Sequence, residues 1–460
     1  MEAFVEFLPL WMFLALGTLL FTGYPVAFIL GGIGLAFAVV GAMVGEFRLQ
    51  QLSLIPLRIY GGTMESPVLV AIPMFIFMGT MLEKSGVARD LLYCLQVLLR
   101  RVPGGLALSV TLMGTIMAAT TGIIGASVVM MTLLALPVML DRKYNIPLAT
   151  GTIAASGTLG ILIPPSIMLV IMSDLLSVPV GTVFIAAILP GLLLAGLYTL
   201  YIATLCQVRP ALAPPLPDDV GPDTGGEMFV LIMRSFIPPI ALIVMVLGSI
   251  FAGLATPTEA AGIGAAGSIL LAAINRALTW EVFKEVCFRS ALTGAMLFGI
   301  FVGATCFSFV FRILGGEHLI IEFIQATGVG PWSILFVLMG MVFALGFFFD
   351  WIEITLIVMP VFAPIVGLLD FGDHLIEHAN IANQQVIWFL ILVAVNLQTS
   401  FLTPPFGFAL FYMKGVAPPE VTIQMIYRGI IPFVLLQLVG LSMVLYFPEI
   451  ALWLPGVLLE

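Results

Sequence analysis

Two hydrophobic stretches are interrupted by residues that carry oxygen. Residues 156–166 read SGTLGILIPPS and residues 396–406 read NLQTSFLTPPF, closed by the pairs Pro164-Pro165 and Pro404-Pro405. Proline removes a backbone donor and glycine lets the chain unwind, so a helix entering either stretch leaves peptide groups without helical partners. Such groups are costly in hydrocarbon and must line a cavity or bind something. Two other apolar regions turn back on themselves, at 120–127 (TTGIIGAS) and at 346–354 (GFFFDWIEI). Each turn joins one break in a donor set. The first set is Thr121, Gly122, Gly125, Ser127, Ser156, Gly157 and Thr158; the second is Asp350, Asn396, Gln398, Thr399, Ser400 and Thr403. Hydroxyl, amide, peptide and carboxylate oxygens suit hard monovalent cations such as Na⁺, and helix C-terminal ends add negative partial charge. Close helix packing is the alternative use of Gly, Ser and Thr, but packing needs no matched Pro-Pro break.

Asp350 falls at a turn near mid-membrane, where a carboxylate is expensive and usually functional; the alternative is a solvated tip. Glu353, one helical turn on, is expected to face water or a partner helix. Beyond each proline pair a helix restarts, at Ser166 and at Phe406-Gly407, and its first N–H groups carry positive partial charge. Two such ends favour an anion, particularly a carboxylate, with Ser156, Pro165, Ser166, Asn396, Pro405, Phe406 and Gly407 as candidate substrate contacts. No Arg or Lys lies in that layer, so helix dipoles and any bound Na⁺ must supply the positive field. Thr256-Pro257-Thr258-Glu259 reads as a capping box, a structural motif.

These residues need a membrane around them. Apolar residues make up 61% of the chain and charged ones 9%, against about 45–50% and about 25% in soluble domains. The chain is expected to be an all-α polytopic protein of the lipid bilayer. Enzymatic readings find little support, and no catalytic residues are assigned. His318, His374 and His378 fall in expected outer loops, no GxSxG or HExxH occurs, and Cys94, Cys206, Cys287 and Cys306 have no ligand spacing. No cofactor is expected, and no metal beyond Na⁺ as coupling ion. Despite the net charge of −9, no basic cluster is dense enough for nucleic acid. Glu2 and Glu6 replace a basic n-region, so the N-terminus is read as a first span and not a signal peptide.

Crossing about 30 Å of hydrocarbon takes about 20 residues, which places spans near 5–21, 25–44 and 67–82. A re-entrant hairpin follows at 106–140, with arms of about 13 residues, then a broken span at 148–178 and a span at 181–206. The first repeat is thus 1–208. Residues 209–227, rich in proline and aspartate with almost nothing to bury, form a cytoplasmic linker. The second repeat, 228–460, has spans near 229–252, 257–274 and 290–311, a hairpin at 333–367, a broken span at 385–415 and a last span at 430–447. Five crossings per half is odd, so the halves are inverted. Lys84, Arg89, Arg100, Arg101, Arg142, Lys143, Arg276, Lys284 and Arg289 then share one face, cytoplasmic by the positive-inside rule. Both termini face the periplasm, as do the acidic outer loops, with Arg48 and Arg58 as the exceptions among basic residues. Segments 47–60 and 276–289 are amphipathic enough to lie along the surface.

LGILIPPSI (159–167), ATPTEAAGIGA (255–265), IPMFIFMG (72–79) and FLTPPFG (401–407) resemble the large, DctM-type membrane subunit of tripartite ATP-independent periplasmic (TRAP) transporters, and the similarity runs through essentially the whole chain. The resemblance implies a bacterial inner-membrane protein working with a small four-helix DctQ-type membrane subunit and a periplasmic DctP-type substrate-binding protein. It also implies Na⁺-coupled import of organic acids by an elevator motion. The family's ion-binding regions match Ser127, Ser156, Gly157 and Thr158, and Asp350, Asn396 and Thr399. The chain opens directly on its first span, so the small subunit is expected to be separate. A stand-alone Na⁺/dicarboxylate symporter is the first alternative, and a pore or non-transporting assembly subunit the second; the TPTEAAG segment speaks against the former.

Overall fold

The computed structural model describes residues 5–121, 124–217, 221–222, 224–316, 318–319, 322, 330–375, 381–404 and 407–459, and every regular element among them is helical. The first half runs α1 (Leu8–Leu20), α2 (Val26–Val44), α3 (Leu54–Ile59), α4 (Ala71–Lys84), α5 (Val87–Leu98), α6 (Gly105–Thr121), α7 (Ile124–Asp141), α8 (Ile146–Thr158), α9 (Ile167–Leu175) and α10 (Val180–Val208). The second runs α11 (Gly225–Leu231), α12 (Ile237–Phe251), α13 (Pro257–Ile274), α14 (Trp280–Ile313), α15 (Pro331–Leu345), α16 (Trp351–Val366), α17 (Gln384–Leu402), α18 (Phe408–Val416), α19 (Ile423–Tyr446) and α20 (Glu449–Leu458). Eight helices among the described residues are long and apolar enough to cross a membrane. A ninth candidate is the pair Leu49–Met64 and Val68–Lys84, bent by 61°.

Equivalent helices of the two halves exchange partners. Helix α2 lies along α14 of the other half, and α13 reciprocates along α4. The same exchange recurs inside: α9 packs on α16 and α18 packs on α7. Within each half, both hairpin arms lean on the first part of the broken helix, α6 and α7 on α8, α15 and α16 on α17. Small residues allow the closest crossings. A Cβ on Gly303 would run into the carbonyl of Ala27, and one on Gly151 into the carbonyl of Gly429, so α2–α14 and α8–α19 meet nearly backbone to backbone. The broken helix is the core: 89% of the α17 window is buried, against 22% of the window over Gly225–Phe251.

Four features differ from the sequence expectations. The hairpin arms are 17 and 18 residues in the first half and 15 and 16 in the second, longer than the expected 13 or so, because helical geometry continues almost to the turn. Residues 280–289 do not form a separate surface helix. Thr279 caps Val282 N–H at 3.2 Å, and the helix then runs unbroken for 34 residues, about 51 Å. Its first polar turns are held to α4 by the Lys84–Glu285 ion pair at 2.8 Å. The linker is docked: Leu212, Ala213 and Leu216 bond through their backbones to Asn145, Gly104 and Arg100 at 2.8, 3.0 and 2.9 Å, and Ala213 and Leu216 are buried. Finally, α20 is an additional helix lying against α10. The Thr256–Glu259 capping box forms as read, with Thr256 N–H donating to Glu259 Oε2 at 2.8 Å.

Candidate functional site

The hairpins and breaks bring four helix N-termini to one cavity of about 110 Å³. Helix α7 contributes Ile124 and Gly125, α9 contributes Ile167, α16 contributes Asp350 at its cap with Trp351 and Ile352, and α18 contributes Phe408 and Tyr412. The fifth wall is the long helix α14, through Thr293, Met296 and Leu297. The two halves meet directly here, since a Cβ on Gly125 would sit 3.0 Å from the Tyr412 ring.

The restart helices are uncapped by side chains. Ser166 is the N-cap of α9, yet its hydroxyl donates to the carbonyl of Ile161 and not to the helix's own amides. Gly407, the N-cap of α18, has no side chain and adopts φ 43°, a left-handed conformation that glycine takes without Cβ strain. The first-turn N–H groups at both ends therefore keep their capacity to hold a negatively charged ligand. Helix α16 differs: Asp350 accepts from Trp351 N–H at 2.8 Å, and Glu353 Oε2 accepts from Asp350 N–H at 3.1 Å. Asp350 and Glu353 thus form a capping box at the cavity edge. No Arg or Lys is among the described lining residues, as the sequence suggested.

The first donor set is locally engaged. Ser156 is buried with its hydroxyl 3.3 Å from that of Thr111, Thr158 donates to the Ala155 carbonyl at 2.9 Å, and Gly157 sits beneath Val128. Ser127 is buried on α7. In the second set Asn396 donates to the Met339 carbonyl at 2.8 Å, clamping α17 to hairpin arm α15. Ser400 lies 3.4 Å from the Phe343 carbonyl, and Thr403 donates to the Thr399 carbonyl at 2.7 Å. Two residues stand apart. Both amide atoms of Gln398 and the hydroxyl of Thr399 are fully buried with no hydrogen-bond partner among the described residues, as is the hydroxyl of Thr355 on the adjoining arm α16. Buried polar atoms are almost always paired, so these unpartnered groups call for a ligand or water. Pro165 is buried just ahead of α9. Gly122, Pro405, Phe406 and the side chain of Thr121 lie outside the described residues.

The sequence reading missed Thr293, Met296, Leu297, Tyr412 and Thr355. The first three recur at i, i+3 and i+4, a helix-face signal that could mark a wall but not which cavity it faces. Glu353, expected to face water or a partner helix, instead accepts from Asp350 N–H; the Asp350-x-x-Glu353 spacing, the carboxylate form of a capping box, was a local signal for this that the sequence reading did not use. Among the described residues no three of His, Cys, Asp and Glu gather as a metal site.

The family model described as "Tripartite ATP-independent periplasmic transporter, DctM component" matches residues 12–450. This chain belongs to the DctM family. It is the large membrane subunit of a TRAP transporter, a multi-span membrane protein and not an enzyme. The C4-dicarboxylate TRAP transporter large permease protein of Pseudomonas aeruginosa is 30% identical over 399 residues, which cover 86% of this chain and 87% of that one. The sialic acid TRAP transporter large permease protein of Vibrio cholerae is 25% identical, with 96% and 97% covered. Among solved structures, the Alcanivorax borkumensis YdaH transporter superposes with a TM-score of 0.62 at 17% identity, covering 88% of this chain and 89% of its own. That likeness concerns the fold alone.

Proposed function

We propose that this DctM-family chain moves a small organic anion bearing a carboxylate into the cell, driven by Na⁺, across the bacterial inner membrane. The observation that carries the reading is the pairing of two uncapped helix N-termini at one cavity with the orphaned oxygens of Gln398, Thr399 and Thr355 in the adjoining core. The N-termini favour the carboxylate, and the oxygens suit a hard cation whose charge offsets Asp350 and the substrate. Two relatives are named for C4-dicarboxylates and sialic acid, which are both carboxylates. In this reading the hairpins and broken helices move as one body against a scaffold containing α2, α4, α13 and α14. A separate small DctQ-type subunit and a periplasmic DctP-type binding protein complete the system, and both termini face the periplasm.

The test uses the reconstituted membrane subunits and their binding protein, with the acid that raises the binding protein's melting temperature. Asn is as good an N-cap as Asp, so Asp350→Asn keeps the fold of α16 while removing a charge beside the cavity. Uptake should then require a higher Na⁺ concentration. An unchanged Na⁺ dependence would remove Asp350 from the coupling mechanism. Saturable uptake at micromolar acid without the binding protein would favour a stand-alone symporter.

A further inference from the structure

The central cavity, of about 110 Å³, is small beside the roughly 300–1,000 Å³ of sites that take drug-sized ligands. It suits an acid of a few carbons. Its walls include a carboxylate and a phenol from separate helices: Asp350, at the cap of α16, and Tyr412, in the second turn of α18.

Tyr412 is seated by a glycine. A Cβ on Gly125 would lie 3.0 Å from both Cε2 and Cζ of the ring and 3.3 Å from Cδ2. The ring therefore rests on the bare backbone of Gly125, the second residue of α7, and a larger residue there would push it away. Because the hydroxyl extends from Cζ, the same contact fixes where it stands. Asp350 and Tyr412 are complementary but not joined. The carboxylate is near enough for its charge to act on the phenol, yet no hydrogen bond links them, and the Tyr412 hydroxyl makes none among the described residues. Asp350 accepts from Trp351 N–H at 2.8 Å, which uses part of the about four acceptor positions of a carboxylate. An ionised carboxylate only accepts, whereas a phenol can also donate. The group that fits both donates to the first and accepts from the second, which describes an alcohol. A ketone only accepts, and a methylene does neither.

We propose that the central cavity is built for a short hydroxy acid, with its carboxylate at the N-termini of α9 and α18 and its hydroxyl between Asp350 and Tyr412. This rests on the carboxylate-transport reading above and narrows it to a class of acid. The test uses three-carbon acids that differ only at the second carbon: lactate with an alcohol, pyruvate with a ketone and propionate with a methylene. Malate against succinate repeats the comparison for a four-carbon diacid. The membrane subunits are purified together, and each acid is titrated at constant, saturating Na⁺ with the melting temperature as readout. Lactate should bind on the order of tenfold more tightly than propionate, the worth of a hydrogen bond to a charged group, and more tightly than pyruvate. Tyr412→Phe keeps the ring on Gly125 and removes only the hydroxyl. It should weaken lactate several-fold and leave propionate unchanged, with the ligand-free melting temperature close to that of the parent. Gly125→Ala, which displaces the ring with its hydroxyl intact, should lose the same preference.

Equal binding within both alcohol–methylene pairs would mean that water fills the place between the two side chains, and would overturn the proposal. So would pyruvate binding as tightly as lactate. A Tyr412→Phe variant that weakens lactate and propionate alike would assign the ring to packing and refute the role of its hydroxyl. If none of these acids shifts the melting temperature, the cavity takes no short acid and the proposal fails. Carboxylate transport is judged separately, by Na⁺-driven uptake of the acid that the binding protein selects, so its failure and this one are read apart.

Discussion

Replacing Gln398 with methionine should make the protein more stable without Na⁺ and less responsive to it. Gln398 is fully buried on α17, and both atoms of its amide lack partners among the described residues. Leaving a buried polar group unsatisfied costs about 1–3 kcal/mol. Methionine has nearly the same length and no hydrogen-bonding requirement, so Gln398→Met should stabilise the Na⁺-free state by about 2 kcal/mol or more. If the amide oxygen coordinates Na⁺, the unsubstituted protein recovers this on binding. A cation at one hundred times its Kd adds about 2.7 kcal/mol, which the variant should largely lack. The two stabilities therefore cross as Na⁺ rises. Thermal unfolding in detergent, with NaCl titrated against choline chloride at constant ionic strength, reads both terms. A variant that is less stable in choline chloride and gains as much from Na⁺ as its parent would show that Gln398 is satisfied within the fold, and the reasoning would be wrong.

Two other outcomes follow from the geometry. Ser66 donates to Asp174 Oδ1 at 2.7 Å, linking the corner before α4 to the end of α9. The pair Ser66→Cys with Asp174→Cys should crosslink, abolish uptake if α9 moves against that corner, and regain uptake on reduction; crosslinked protein that still transports would exclude the sliding body. Glu259→Ala removes the exposed half of a capping box away from the site and should lower the melting temperature slightly, with the Na⁺ response in the unfolding assay unchanged.

The elements that position the site were largely legible, because Pro-Pro pairs and glycine-containing turns break hydrophobic runs wherever they fall. Thr256 and Glu259 announced their capping box for the same reason, since a local motif needs only local sequence. What escaped was set by tertiary contacts. The polar turns at 280–289 looked like a surface helix, yet nothing between Thr279 and Gly294 breaks the helix and the Lys84–Glu285 pair gives one of their charges a partner. The linker appeared to have nothing to bury, yet its backbone bonds to three separate points of the first repeat. At the site, composition marked the oxygen-bearing residues alike. Only the packing separates Asn396, spent on the Met339 carbonyl, from Gln398, whose amide is left over.

The exchange of partners between halves has a consequence for biogenesis. During synthesis α2 enters the membrane well before α14, the helix it will lie along, and α4 likewise precedes α13. Consecutive elements usually pair soon after they form, but here the extended contacts of the first repeat join residues far apart in sequence, which slows assembly. An emerging first half therefore holds the small-residue faces of α2 and α8 open to lipid or to an insertion factor until Gly303 and Gly429 arrive. The docked linker, which already ties residues 100, 104 and 145 together, can hold that half in order while it waits.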